Sequence, residues 1–501
     1  MKPKIIFWLN ADITIFSIAN VIQKKYDADF FAIIDVPNKP KKFFQQQHLV
    51  KFAKIWFYHD HIKPNLLPDL QYLQTFEKKY GINLWTLASN ERILYEYNEF
   101  YSFSNNEVLS ILEQECKLFE NVINEVKPDF VIMFNTNLHH EDLFYTVCKK
   151  NSVLPMLLVD TRLANRYAIS SVPDNVDFFP KLLDGKSDLK TFDQLIAMRK
   201  SFDMQKMVIH AESRFIKSKT QMMKALLKFI FNYDNSNRKT HYTYYGRTKS
   251  KVVVKSTINY LKQLYRKRFI NRKFIHKVED QNFIFFALQT YPERTILLTA
   301  PFYTTGLDFI INNVAKSLPV EYTLYVKEHP AQQSRDWRST SFYRKLMSIP
   351  NVKMVHPSAN SQDFIQKSDL VISISSTSCF EAAFYGKPSI LFADTNFSFL
   401  SNVLRVKSFE DLPNAIKDCL KKKVNPQEIG EYLEITLKNT FDFNFYDYTY
   451  DFSDRFQYGS FFLDADFPEA EIALFLENKK EIADRLAHEF IKKINELYTK
   501  N

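Results

Sequence analysis

The chain has 501 residues, 46% hydrophobic and 25% charged, with a formal net charge of +10. This is room for two or three globular domains, each able to bury its own core. Only seven glycines are present, and neither G-x-G-x-x-G nor the Walker P-loop occurs, so any phosphate must be held without a glycine cradle. The four cysteines (Cys116, Cys148, Cys379, Cys419) contain no CxxC pair, which argues against a zinc ribbon or a disulfide framework and points to a reducing, cytoplasmic setting.

The opening run MKPKIIFWLNADITIF carries Asn10 and Asp12 among its apolar residues and reads as a first strand, not a signal peptide. No stretch of about 18 apolar residues exists, so no membrane-spanning helix is expected. Residues 4–9 and 30–36 predict parallel strands around a helix at Phe16–Lys25. Further strands are expected at 54–58, 130–134 and 154–159, with helices at about 91–102 and 106–126. Strands alternating with helices predict a doubly wound α/β domain over 1–200. Two of its strands end in polar groups: Asn135, Asn137, His139, His140 and Glu141 after the fourth, Asp160 and Arg162 after the fifth.

Between Arg214 and Lys277 the balance of charge changes. Eighteen Lys/Arg stand against one acid, Asp234, a net +17 that leaves the rest of the chain at −7. Stretches such as MMKALLKFIF and INYLKQLYRKRFI have helical periodicity, so 201–277 is expected to be a basic helical insert. Its partners would be a membrane's anionic headgroups, a lipid-linked acceptor or, less consistently, nucleic acid; a solvated linker is the plainer reading. A second α/β domain is expected over 278–435. The segment 436–501 adds an aromatic stretch, eleven Phe/Tyr among residues 441–462, and a helix at about 468–498. Aromatic density of that kind usually packs on a domain face; contact with sugar or lipid is the sharper option.

Three strands of the second domain end in chemistry-bearing residues: FFALQTYPERT with Gln289 and Glu293, YVKEHP with Lys327 and His329, and ISISSTSCFEAAFYGKP with Ser375, Ser376, Thr377 and Glu381. In open parallel sheets, ligands bind outside the carboxyl ends of the strands. A helix starting at Ser378 would offer backbone N–H groups and a positive dipole end to a phosphate. Ser378-x-x-Glu381 is equally a capping box that needs no ligand. The imidazole of His329 could stabilise leaving-group charge during glycosyl transfer, although a strand-end histidine is more often structural. Asp27/Asp29 and Asp464/Asp466 imitate a metal-binding DxD but flank no proposed site, and they read as surface.

In order and spacing, these motifs, with FYRKLMSIPNVKMV between them, resemble the bacterial capsular polysaccharide synthesis family, which includes Kdo transferases and is similar to polysialyltransferases. The resemblance is clearest over 280–395, looser over 1–165, and does not reach 200–277 or 436–501. It implies a GT-B fold, two Rossmann-like domains around a cleft, with no metal required. It implies that His329, Ser375 and Ser376 hold the donor phosphate and Glu381 meets ribose or base. The general base stays open among His139, His140, Glu141 and Asp160, with Glu141 or His139 preferred. The expected protein is a cytoplasmic glycosyltransferase, peripheral on the inner membrane face, that uses a CMP-linked or UDP-linked sugar. The alternatives are a nucleotide-sugar epimerase, a polyol-phosphate transferase or a non-catalytic polyanion binder.

Overall fold

Two sheets with the same strand order organise the chain. The computed structural model describes residues 2–63, 67–178, 187–202, 219–279, 282–292, 297–303, 306–335 and 337–498. The first sheet uses β1 (Lys4–Asn10), β2 (Asp29–Asp35), β3 (Lys54–Phe57), β4 (Phe130–Phe134), β5 (Leu154–Asp160) and β6 (Arg166–Ser170). The second uses β7 (Phe283–Ala287), β8 (Thr323–Lys327), β9 (Val352–Val355), β10 (Leu370–Ser373), β11 (Ser389–Leu391) and β12 (Val403–Arg405). Their orders are β6-β5-β4-β1-β2-β3 and β12-β11-β10-β7-β8-β9. The second is parallel throughout and the first parallel except for β6, which runs antiparallel to β5. Both are the doubly wound 3-2-1-4-5-6 arrangement, which reverses direction between its first and fourth strands. A short β13 (Phe441–Asp442) pairs antiparallel with β6, so the chain returns to the first sheet after completing the second.

The central strands are apolar runs buried on both faces, as parallel sheets require; every residue of β7 is buried. The helices that matter here are α1 (Thr14–Lys25), α2 (Asn105–Val126), α3 (His139–Lys150) and α4 (Phe192–Ser201), then α5 (Lys219–Asn232) and α6 (Lys249–Lys273) in the basic insert, with α7 (Ser378–Ala383) and α8 (Lys480–Tyr498) later. A capping box between Ser104 and Glu107 starts α2. The helix expected at 91–102 is absent: those residues turn and bend, tied by Glu91 and Asn98 instead of by a helical ladder. The final helix is broken at Lys479 into Glu469–Asn478 and α8.

Part of the aromatic segment is core. Phe443, Tyr448, Phe452 and Phe456 pack with Phe467, Phe475 and Phe490 against α1 and the strands of the first sheet. Asp464, expected on the surface, is buried and accepts from the Lys39 N–H. The insert is not merely a linker either. His241 and Tyr242 are buried against the first domain, with Tyr58 and Tyr242 hydroxyls 3.0 Å apart. Gly246 sits at φ 72°, and a Cβ there would lie 2.1 Å from the Phe100 carbonyl oxygen, a contact and a backbone state that only glycine fits. At its other end α6 enters the second domain's core through Ile270. Among the described residues, no helix is long and apolar enough to cross a membrane.

Candidate functional site

The reversal point of the second sheet lies between β7 and β10, and there Gln289 and Ser375 bond to each other. Gln289 Nε2 donates to Ser375 Oγ at 2.8 Å, and the Ser375 N–H donates to Gln289 Oε1 at 3.2 Å. The next residue, Thr290, meets His329 Nδ1 at 3.2 Å. The ends of β7, β8 and β10 are thus stitched side by side, as the motif spacing predicts.

His329 is half-buried. Its Nδ1 accepts the Ala331 N–H at 3.1 Å, so the neutral ring carries its proton on Nε2 and presents a donor. Burial, aided by the Lys327 charge, pushes its pKa down to about 4. The ring is therefore neutral at pH 7. Behind it, Glu328 is fully buried and takes both oxygens to Arg338 Nη1, at 2.6 and 2.7 Å, and one to the Tyr343 hydroxyl. Arg338 Nη2 also holds the Gln289 carbonyl at 2.7 Å. Charge-assisted bonds of this kind fix geometry, so Arg338 locks the positions of β7 and β8. Nothing in the spacing of D-W-R-S-T announces that role.

Several expected ligand groups have other partners. Ser375 is buried and its hydroxyl is taken by Gln289. Lys327 is buried, its ammonium on the Pro357 carbonyl at 3.1 Å instead of in the cleft. Glu381 forms no capping box with Ser378. It pairs instead with Arg199 of α4 at 2.8 Å, and its pKa is nonetheless raised because burial outweighs the guanidinium. Only α7's six residues follow the serine-rich turn, and its cap, Thr377, makes no side-chain cap bond. Ser376, Thr377 and Ser378 are half-buried, with Ser376 Oγ donating to Ser378 Oγ at 3.2 Å. Glu293 lies outside the described residues.

The facing wall comes from the carboxyl ends of the first sheet. Arg162, at φ 62°, donates to the Ser375 carbonyl at 2.5 Å. Asn396 donates to the Thr161 carbonyl at 2.6 Å, and Thr299 to Asp174 at 2.6 Å. Tyr97 packs edge-on against Tyr291 with centroids 5.2 Å apart. Ile13, Glu96, Arg162, Ala164 and Asp174, all left-handed non-glycine residues, sit in these loops. Backbone strain of that kind concentrates at binding and catalytic sites.

On this wall the preferred bases are not exposed. His139 is buried between Glu91, 2.8 Å from Nδ1, and Glu115, 3.1 Å from Nε2. Burial alone would lower its pKa, but the two carboxylates hold it up at about 10, so with no other cation in the cluster it is an imidazolium at neutral pH and no proton acceptor. Glu141 is buried and turns back to the N–H groups of Asn137 and Leu138, capping α3. His140 is buried on Asp35 at 3.1 Å. Asp160 differs: the residue is exposed at the end of β5, two positions before Arg162, whose N–H it accepts at 2.8 Å. Although the residue as a whole is exposed, desolvation of the carboxyl by its neighbours pushes its pKa up against the Arg162 N–H bond and charge, and the Asp174 charge adds to the rise. Asp12 lies just beyond β1 at the first sheet's own reversal point. Burial pushes its pKa up to about 6 against the Thr14 N–H bond.

Two doubly wound lobes meeting at their strands' carboxyl ends make the GT-B arrangement. Residues 190–401 match the family model described as capsule polysaccharide biosynthesis protein, a stretch containing every motif from Gln289 to Pro388, so the resemblance holds over that part of the chain. No curated protein matches. Among solved structures, a UDP-GlcNAc 2-epimerase from Methanocaldococcus jannaschii is 14% identical, covering 87% of this chain and 99% of its own, at TM-score 0.24. KpsC, a beta Kdo 2,7 transferase from Thermosulfurimonas dismutans, is 12% identical, covering 63% and 79%, at TM-score 0.30. At these identities and TM-scores the likenesses support no inference about activity.

Proposed function

We propose that this chain is a glycosyltransferase of capsule or surface polysaccharide synthesis that takes its sugar from a nucleotide-activated donor, CMP-linked in preference to UDP-linked. The observation that carries this reading is the stitched strand ends Ser375–Gln289 and Thr290–His329 at the reversal point of the second sheet, inside the stretch matched by the capsule family model. His329 Nε2–H and the hydroxyls of Ser376 and Thr377 are the donor-phosphate ligands. Gln289 and Ser375 shape the floor, and Glu381 acts through its pair with Arg199. A fixed neutral donor suits a leaving nucleotide, because it stabilises developing charge without reorganising.

Asp160 is the proton acceptor for the acceptor hydroxyl. It combines exposure, an upward-shifted pKa and a position beside the Arg162–Ser375 contact, which is where a general base has to stand. The acceptor is an anionic or lipid-linked glycan approached from the membrane. On α6, Val254, Ile258, Leu261 and Tyr265 form an exposed apolar stripe at helical spacing, and on α5 Met222, Met223, Leu226, Leu227, Ile230 and Phe231 are also exposed. Lysines and arginines flank both stripes. That is the composition of helices lying in an anionic interface.

The test is a thermal-shift series with CMP, UDP, GDP and CDP, followed by transfer assays with the matching sugar donor. A selective ligand raises the melting temperature, and sugar should move only when acceptor is present. Donor conversion without acceptor, or no stabilisation by any nucleotide, would overturn the assignment.

A further inference from the structure

Away from the strand-end serines, the first domain holds a buried polar cluster that the transfer chemistry does not use. Ligand-competent atoms of Glu115 (on α2), His139 and His140 (both on α3) lie within 4.8 Å of one another, and all three residues are buried. His139 directs Nε2 at both Glu115 oxygens, 3.1 Å away, while its Nδ1 is held by Glu91 at 2.8 Å. His140 gives Nε2 to Asp35 at 3.1 Å, and its Nδ1 is buried with no hydrogen-bond partner. His59, on the other Asp35 oxygen at 3.0 Å, likewise buries an unpartnered Nδ1.

We propose that Glu115, His139 and His140 bind a divalent metal ion of the zinc class, with Glu91 and Asp35 as its outer shell. Two imidazoles and one carboxylate are a recurrent three-ligand zinc set, in which metal–ligand bonds of about 2.0–2.2 Å leave neighbouring ligand atoms about 3.3 Å apart. The His139–Glu115 spacing fits. Metal-bound histidines nearly always donate the other ring nitrogen to a carboxylate or carbonyl, and both histidines here have such a carboxylate in place. The Tyr58 hydroxyl, bonded to Glu115, or a water supplies the fourth position. Charge points the same way: the ion pairs of Asp35, Glu91 and Glu115, among the described residues, are all with histidines. An ion there would fasten the end of β2, α2, α3 and the loop that begins at Glu91 and carries Tyr97 to Tyr291. The role is structural and does not depend on which sugar is transferred.

The full chain, purified without a histidine tag, should retain about one zinc-class ion per molecule by mass spectrometry of the metal content. Chelation should lower its melting temperature and zinc should restore it. Cobalt substitution should give a visible ligand-field absorption. Glu91→Gln, which keeps all three ligands, should weaken retention about 10–100-fold. Removing a buried, ion-paired histidine costs stability by itself, so the deciding measurement uses the unaltered chain. If the metal-free protein takes up neither zinc nor cobalt and its melting temperature is indifferent to both, the proposal fails, and the His139 imidazolium is the cluster's cation. That result leaves nucleotide binding untouched.

Discussion

Arg199 and Glu381 lie 2.8 Å apart across two elements that share no strand, α4 before the basic insert and α7 after the serine-rich turn. Arg199 also donates to the Tyr385 hydroxyl at 3.2 Å. The carboxylate expected to meet a ribose is thus bound within the protein. Removing the guanidinium leaves Glu381 half-buried and uncompensated. Because its folded pKa is already raised, its ionisation opposes folding. Arg199→Ala should therefore lose stability relative to wild type as pH rises from the acid range to neutrality and regain it on acidification, read from denaturant midpoints at several pH values.

The Glu328–Arg338 pair makes a larger claim. Both side chains are buried, and breaking such a pair from one side costs about 3–5 kcal/mol. Arg338→Ala should lower unfolding free energy by that order and release the end of β7, weakening nucleotide binding as well. Replacing both residues with apolar ones of similar volume should recover much of the stability and none of the binding.

For His329, alanine should reduce transfer at least about 100-fold, the scale of losing one preorganised donor, with little change in melting temperature. The ring's pKa falls from 6.5 unfolded to about 4 folded, so the unfolded chain binds more protons between those values. Wild-type stability should rise with pH across that window, and His329→Gln should flatten part of the slope.

Asp160→Asn should lower the rate of sugar transfer by about 10²–10⁴ while nucleotide affinity stays within about twofold, the limit to which sites without shared partners act independently. Asp12→Asn gives the contrasting outcome. A carboxyl whose pKa is 3.8 unfolded and about 6 folded costs stability as pH rises between those values, so the variant should gain on wild type progressively across that window and keep the full gain above pH 6. Unchanged transfer in Asp160→Asn would remove it as the base and make Asp12 the next residue to test.

On the membrane side, Leu261→Glu with Tyr265→Glu should reduce co-sedimentation with anionic vesicles about tenfold or more. Binding of the parent should fall steeply with salt, since part of it is charge attraction. Neither change should alter the nucleotide-induced melting shift.

The central strands of both sheets were legible from sequence because β1, β4, β7 and β10 are buried on two faces and read as uninterrupted apolar runs, whereas the edge strands β6 and β12 were not. The motif order likewise predicts that Gln289, His329 and Ser375 converge. What it could not supply is which of them face solvent. Ser375 and Lys327 are turned inward by Gln289 and Pro357, partners set by sheet order and not by local spacing. His139 and Glu141 follow a strand end as plausibly as Asp160 does, but α3 carries them into the domain. Residues 91–102 have a helical pattern, yet Glu91 is drawn to His139, a contact 48 positions away that periodicity does not encode.

The 25-residue α6 is about 37 Å long at helical rise. It is pinned near the first lobe by Gly246 on Phe100 and rooted in the second by Ile270. It is thus a strut reaching from one lobe to the other, with exposed apolar residues and flanking cations along it. If it seats on a bilayer, as proposed above, the same contact would bear on how far the two lobes can part.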